Sequence, residues 1–270
     1  MSKTTKLSVN GAAGRMGRQL LTAISERDDT SLAGAVDAQG QPSIGVDASV
    51  LSGGTATGVM VTDKLDEILS SSQVIIDFTA PVVSLGVLKA AVASNTGVVI
   101  GTTGFNPEQL QTLYGYAEQI PVMFAPNYSV GVTVALDLLD KAARALGDDY
   151  DVEIIEAHHR HKVDAPSGTA VKMGEVVADA LGRDLATCAV YGRQGITGER
   201  DTKTIGFETI RAGDIIGDHT VLFAGNGERL EITHKSIDRM TFARGAVRAG
   251  VWLSSQPAGL YDMRNVLGLV

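Results

Sequence analysis

Five consecutive residues, His158, His159, Arg160, His161 and Lys162, gather three imidazoles and two permanent cations directly ahead of Asp164-Ala165-Pro166-Ser167-Gly168-Thr169. Imidazole is the side chain whose proton exchange lies nearest neutral pH, and Lys162, four residues beyond His158, adds fixed positive charge. Pro166 to Thr169 open a segment whose apolar Val171, Met173, Val176, Val177, Ala180 and Leu181 fall at mostly helical spacing. A helix N-terminus with unpaired backbone N–H groups is therefore expected beside the basic run. The chemistry implied is capture of a carboxylate and delivery of a proton. A metal site fits poorly, because adjacent His158 and His159 can hardly point the same way and no spaced His pair or cysteine accompanies them. A solvated basic loop is the plain alternative.

A second constellation lies at the N-terminus. Residues 6–10 are expected to form a strand, followed by Gly11, Ala12, Ala13, Gly14, Arg15, Met16 and Gly17 and then a helix over 18–24. Glycines in such a turn let the backbone approach a pyrophosphate, which rests on the helix N-terminus. The spacing is GxxGxxG, which alone is weak. A second strand over 31–36 ends in Asp37, twenty positions after Gly17, where a dinucleotide fold places the acid that accepts from adenine-ribose hydroxyls.

These sites must be carried by alternating elements. Strands are expected at 59–61, 74–78, 98–100 and 121–124, with helices at 63–70, 82–94 and 107–118. Near-continuous apolar strands separated by helices imply a parallel sheet covered on both faces, with ligands at the strand C-termini. Asp77-Phe78-Thr79, Gly101-Thr102-Thr103-Gly104 and Ala125-Pro126-Asn127-Tyr128-Ser129 stand at three of those ends. Beyond residue 150 the pattern changes. A strand over 151–156 feeds the basic run, and strands over 204–210, 219–224 and 229–233 follow, the last two joined by a Gly225-Asn226-Gly227 hairpin turn. This half reads as α+β with much antiparallel pairing, interrupted by a mobile glycine-rich excursion over 192–201. A last helix over 241–253 is expected to return to the first domain.

Composition narrows the class. The chain has 270 residues, 44% of them hydrophobic, with 31 acidic against 23 basic side chains. The net charge of −8 argues against a nucleic-acid surface and makes the basic run a local reversal suited to a small anion. No apolar run approaches the ~20 residues of a membrane span. Nothing at the N-terminus resembles a secretory signal, and one cysteine, Cys188, excludes an intramolecular disulfide framework. A cytoplasmic enzyme is the expectation.

The basic run with its Asp164-to-Ala170 continuation, the glycine turn, and the segments at 77–79, 101–104 and 125–129 together resemble the dihydrodipicolinate (4-hydroxy-tetrahydrodipicolinate) reductase family along essentially the whole chain. The resemblance implies reduction of a cyclic unsaturated dicarboxylate by NADH or NADPH in a homotetramer, within lysine and diaminopimelate biosynthesis. It implies a Rossmann-like dinucleotide-binding domain over residues 1–130 and 241–270, and an α+β mixed-sheet domain for substrate binding and tetramerisation over 131–240. It further implies His158 as proton donor with Lys162 as partner, and His159, Ser167, Gly168 and Thr169 as substrate contacts. The cofactor contacts implied are Gly11 to Gly17, Asp37, Gly101, Thr102, Thr103, Ala125, Pro126, Asn127 and Tyr128, with no metal.

One departure bears on the cofactor. Family members that use NADPH well tend to carry an arginine directly after the ribose-binding acid, whereas Asp37 is followed by Ala38 and Gln39. A 2′-phosphate there meets like charge and free hydroxyls meet an acceptor, so the reading leans to NADH, with NADPH open through Arg15. Two other functions share parts of this pattern. A semialdehyde or hydroxy-acid dehydrogenase should show a cysteine nucleophile or a spaced His/Asp catalytic pair in the second half, yet Cys188 lies in an apolar context. A non-enzymatic dinucleotide sensor gives no reason for a proton-donating histidine beside a carboxylate-shaped turn.

Overall fold

The structure is a computed structural model that describes residues 4–270. In chain order the elements are β1 (Thr5–Asn10), α1 (Arg15–Ser25), β2 (Thr30–Val36), α2 (Ala48–Leu51), β3 (Val61–Thr62), α3 (Leu65–Leu69), β4 (Val74–Asp77), α4 (Pro81–Ser94), β5 (Gly97–Ile100), α5 (Pro107–Ala117) and β6 (Pro121–Phe124). They continue with α6 (Val130–Leu146), β7 (Asp151–His158), α7 (Gly168–Ala180), α8 (Leu185–Cys188), β8 (Ala189–Tyr191), β9 (Ile205–Arg211), β10 (Gly217–Ala224), β11 (Arg229–Ser236), α9 (Met240–Leu253), β12 (Gly259–Tyr261) and α10 (Met263–Leu267). Two compact units result: residues up to Val130 with Met240–Val270, and Gly131–Arg239. Among the described residues no helix is long and apolar enough to cross a membrane.

The first unit is built on a seven-stranded sheet in the order β12-β6-β5-β4-β1-β2-β3, every pairing parallel. Strands β4 and β5 are buried at every position, which requires cover on both faces and explains their unbroken apolar sequences. One core packs α1 and α9 against Leu7, Val9 and Ile76, and the other packs α4 and α5 against Ile75, Val98 and Ile100. Helix α1 starts at Arg15 rather than 18, so its first turn lies inside the glycine run. The chain does not end with the helix expected over 241–253. It adds β12 to the sheet edge beside β6 and closes with α10, capped by the Asp262 side chain.

The second unit is a five-stranded sheet in the order β11-β10-β7-β9-β8. Pairings β10–β11 and β10–β7 are antiparallel, but β7–β9 and β8–β9 are parallel, so antiparallel pairing is only half of this sheet. The cause is α7, which carries the chain from β7 across to the far edge before it returns as β9. Helix α6 lies outside the sequence expectations. Its buried Val132, Ala135, Leu139 and Ala143 recur at three- and four-residue steps, while Asp137–Lys141 and Asp140–Arg144 pairs line its outer side. The excursion over 192–201 has neither helix nor strand, yet it is not loose at its base. Arg193 donates in a fork to Glu153 at 2.9 and 2.8 Å, and Arg200 reaches Glu153 at 2.9 Å and Asp151 at 2.6 Å.

Within the first unit the return of α9 depends on one small residue. A Cβ on Gly245 would lie 1.8 Å from the Tyr128 carbonyl oxygen, so the helix packs directly on backbone. Gly245→Ala should cost about 1–3 kcal/mol through overpacking. Gly115→Ala on α5, where the added methyl meets open space, should instead be neutral or gain up to about 1 kcal/mol. Urea midpoints of the two variants check the pair.

Candidate active site

In the first unit the ends of β1, β4 and β5 are tied together by one buried carboxylate. Asp77, fully inaccessible at the end of β4, accepts from Asn10 Nδ2 at 2.7 Å, Thr79 Oγ1 at 2.8 Å, Thr102 Oγ1 at 3.3 Å and the Ser84 hydroxyl. Burial pushes this carboxyl above its usual range while the four donors pull it back. The loops after three strands are thereby fixed at one edge of the sheet. Sequence reasoning placed Asp77 and Thr102 at that edge but missed Asn10 and Ser84.

The glycine turn closes on itself. Gly14 N–H donates to Gly11 O at 3.0 Å, and a Cβ on Gly17 would stand 2.1 Å from Gly11 O, so α1 abuts its own turn. No acidic residue occupies the first turn of α1, which leaves its N-terminal N–H groups and dipole open to an anion. Asp37 follows β2, and its carboxylate accepts from Ala13 N–H and Ala38 N–H, each at 2.9 Å, and from Ser43 Oγ at 3.3 Å. Acid and turn are thus locked together, with acceptor capacity left on the carboxylate. Turn, free helix end and acid fit a dinucleotide.

In the second unit the last two residues of alternation on β7 turn polar without leaving the buried face. Val152 and Ile154 face the core, and Glu156 and His158 continue that face with 1% and 7% exposure. Arg211, the register partner of His158 on β9, forks onto Glu156 with both distances 2.8 Å. Glu156 also accepts from Ser167 N–H at 3.0 Å and Thr209 Oγ1 at 3.3 Å, and meets His158 Nδ1 at 2.6 Å. Arg211 and His158 hold its carboxyl down at about 2 against the desolvation that would raise it. Because that carboxylate is ionised and can only accept, His158 Nδ1 carries its hydrogen and Nε2 is the nitrogen left for chemistry. Gly217 faces that nitrogen, where a Cβ would stand 3.0 Å away.

Around this group the other cations sort themselves. Lys162 Nζ pairs with Asp164 at 2.9 Å and remains 21% exposed. His159 lies against Arg239 at 3.4 Å and its ring centroid is 6.2 Å from that of His161. Desolvation, then the Arg239 guanidinium, hold its imidazole below the usual value. Helix α7 begins with Ser167 as its cap, whose hydroxyl accepts from Ala170 N–H at 3.1 Å, and no acidic residue follows in the first turn. His219 on β10 touches that same hydroxyl through Nε2 at 2.8 Å and packs edge-on to His158, ring centroids 5.1 Å apart. Among the described residues no cluster of His, Cys, Asp and Glu has the arrangement of a metal site.

Comparison with known proteins decides the family. Residues 5–128 match the family description "Dihydrodipicolinate reductase, N-terminus" and residues 131–267 match "Dihydrodipicolinate reductase, C-terminus". The chain belongs to the dihydrodipicolinate reductase family. It is 58% identical to the 4-hydroxy-tetrahydrodipicolinate reductase of Alkalilimnicola ehrlichii over 98% of this chain and 100% of that protein. It is 56% identical to that of Methylococcus capsulatus over 98% of each. Among solved structures, a dipicolinate-bound dihydrodipicolinate reductase from Paenisporosarcina sp. TG-14 superposes with TM-score 0.77 at 25% identity, covering 96% of this chain and 97% of that one. A probable dehydrogenase from Thermotoga maritima, TM-score 0.61 at 9% identity over 97% of this chain and 92% of that one, shares the fold alone. Membership makes this chain an oxidoreductase with an NAD(P)-binding, Rossmann-like first unit and a mixed-sheet second unit.

Against that family background the sequence-predicted residues divide by burial. Gly14, Arg15, Met16, Thr103, Pro126, Asn127, His159, Lys162, Gly168 and Thr169 retain some exposure. Three others are committed inside the protein. Tyr128 is 1% exposed and donates its hydroxyl to Ile100 O at 2.8 Å, Thr102 uses its hydroxyl on Asp77, Ser84 and Thr79, and Ser167 gives its N–H to Glu156 while its hydroxyl accepts from Ala170 N–H and meets His219 Nε2. Glu156, Arg211 and His219 were given no role by sequence reasoning, although a glutamate and a histidine in step with Val152 and Ile154 are a readable signal of buried polarity.

Burial lowers the His219 imidazole to about 4. A histidine whose folded value is depressed contributes stability above its unfolded value of about 6.5, and that contribution is lost as pH falls toward 4. His219→Gln should flatten the fall in thermal midpoint between pH 6.5 and 4, where the native protein loses up to roughly 3 kcal/mol. Melting curves across that range measure it, and parallel slopes in the two proteins would exclude His219 as the cause.

Proposed function

We propose that this enzyme reduces 4-hydroxy-tetrahydrodipicolinate, by way of dihydrodipicolinate after loss of water, to tetrahydrodipicolinate in lysine and diaminopimelate biosynthesis. The observation that supports it most is the junction of His158 with the start of α7: a ring nitrogen able to give a proton and a carboxylate-suited helix end share Glu156. NADH or NADPH supplies the hydride. Gly11 to Gly17 and Asp37 hold the dinucleotide, with the loops at Gly101, Thr102, Thr103 and at Ala125, Pro126, Asn127 and Tyr128 completing its site. His158 delivers the proton from Nε2 to the ring position where electron density collects, so that hydride and proton together saturate one double bond. Lys162 stabilises that density as a nearby cation, and His159, Gly168 and Thr169 hold the carboxylates. Exposed Ile155 and Ile210, 37% and 47% accessible on the sheet face opposite α7, support assembly of this unit into a homotetramer.

His158→Gln should leave cofactor affinity unchanged and lower kcat by about 10²-fold or more. Thr169→Ala should mainly raise the KM for substrate. Steady-state kinetics separate the two, and an unchanged kcat in the first variant would remove His158 from the proton step.

NADH is the preferred cofactor in this reading, because the residues after Asp37 offer no guanidinium. Ala38→Arg should improve kcat/KM for NADPH relative to NADH by roughly 1–3 kcal/mol, the usual size of a hydrogen bond to a charged group. If the native enzyme already favours NADPH strongly, Arg15 rather than Asp37 selects, and Arg15→Ala is the variant that should reverse it.

A further inference from the structure

His158 cannot donate a proton usefully unless its ring is held with one chosen nitrogen outward. Two features of the buried face bear on that requirement. The Glu156 carboxylate lies 2.6 Å from Nδ1, so the other nitrogen faces away from it, and the same carboxylate takes the N–H of Ser167, the cap of α7, at 3.0 Å. Proton donor and carboxylate-binding turn therefore hang from two oxygens of one side chain. The charged and titratable groups around it are Arg211 on β9, His219 on β10, and His159, Lys162 and Asp164 in the segment after β7. Of these, Arg211 alone forks onto the carboxylate, and its second nitrogen also donates to Asp164 O at 2.6 Å, which ties the segment between Lys162 and Ser167 to the same pair.

We propose that Glu156 is a positioning residue: it fixes His158 as the Nδ1–H tautomer, and through Ser167 it sets the distance between proton donor and substrate carboxylate, with Arg211 keeping it ionised. This rests on His158 being the proton donor. Without Glu156 the neutral ring can take either tautomer, and the form with hydrogen on Nε2 cannot receive a proton there to pass on. Loss of the negative charge also disfavours imidazolium, whereas loss of Arg211 leaves that charge uncompensated and favours it. The two variants should thus move the pH dependence of activity in opposite directions, which a merely structural role would not do.

The test uses ¹⁵N-histidine-labelled full-length enzyme, with His158 assigned by its absence in His158→Gln. Long-range ¹H–¹⁵N spectra of the native enzyme at alkaline pH should show hydrogen on Nδ1 of His158, and hydrogen on Nε2 would overturn the proposal without any further variant. Glu156→Gln should show both tautomers, a fall in kcat of about 10²-fold, and an alkaline loss of kcat/KM shifted to lower pH. Arg211→Gln should shift that loss to higher pH. A Glu156→Gln enzyme with the native tautomer and native pH profile would refute the role. If the tautomer changes as expected while kcat does not, Glu156 still holds the ring, and His158 is instead not the proton donor.

Discussion

Glu156 sits at 1% exposure, and an ionised carboxylate is tolerated there only because every direction around it supplies a donor. A guanidinium fork from β9, a threonine hydroxyl from the same strand, a backbone N–H from the cap of α7 and a ring N–H from β7 converge on two oxygens. Satisfying that one charge fixes the relation of two strands, a helix start and the segment joining them. Asp77 plays the corresponding part in the first unit, where donors from β1, from the loops after β4 and β5, and from α4 meet on one carboxylate. In both units a buried acid at a strand's C-terminal end turns flexible loops into a placed site. The two differ in charge balance. Asp77 has only neutral donors and is pushed up, while Glu156 has a cation and is held down.

Ligand capture follows from what is left unsatisfied. Helices α1 and α7 both begin without an acidic residue in the first turn, although the protein as a whole carries a net charge of −8. Two anion-ready helix ends in an acidic molecule suit a pyrophosphate in one unit and a carboxylate in the other. The acids that do stand near these ends are already engaged. Asp37 accepts from Ala13 N–H while keeping its charge, and Asp164 shares its own with Lys162.

Much of this was legible in the sequence where period and punctuation agree. The apolar runs at 74–77 and 97–100, each followed by turn residues, declare buried parallel strands, and Pro107 after the Asn106 cap declares a helix. Helix α6 escaped because its apolar stripe is diluted by Asp137, Asp140, Lys141 and Arg144, which form i,i+4 pairs on the outer side. The end of β7 was read two residues short, at Glu156, because His158 opens a basic run that looks like a loop. Both Glu156 and His158 are strand residues on the buried face, and the charge of Glu156 is compensated by Arg211, 55 positions away in the chain, a partner that no local window contains. The hydroxyls of Tyr128, Thr102 and Ser167 likewise meet partners far off in the chain, Ile100 O, Asp77 and His219, which no local window contains.

Arg211 also sets the electrostatics of the buried carboxylate beside His158. A histidine bound to an uncompensated, desolvated carboxylate would keep its proton, because the ion pair would be worth far more than the weak attraction of the same charges in water. A histidine with no acid behind it would be held poorly and charged reluctantly in so enclosed a place. The fork from Arg211 occupies one lone pair on each oxygen of Glu156 and offsets its charge, leaving a hydrogen bond that orients the ring. His219, edge-on to His158 and held neutral by burial, adds shape to that pocket without adding a competing charge. Orientation is thus supplied by the acid and charge balance by the guanidinium behind it, so the two charges function as one unit.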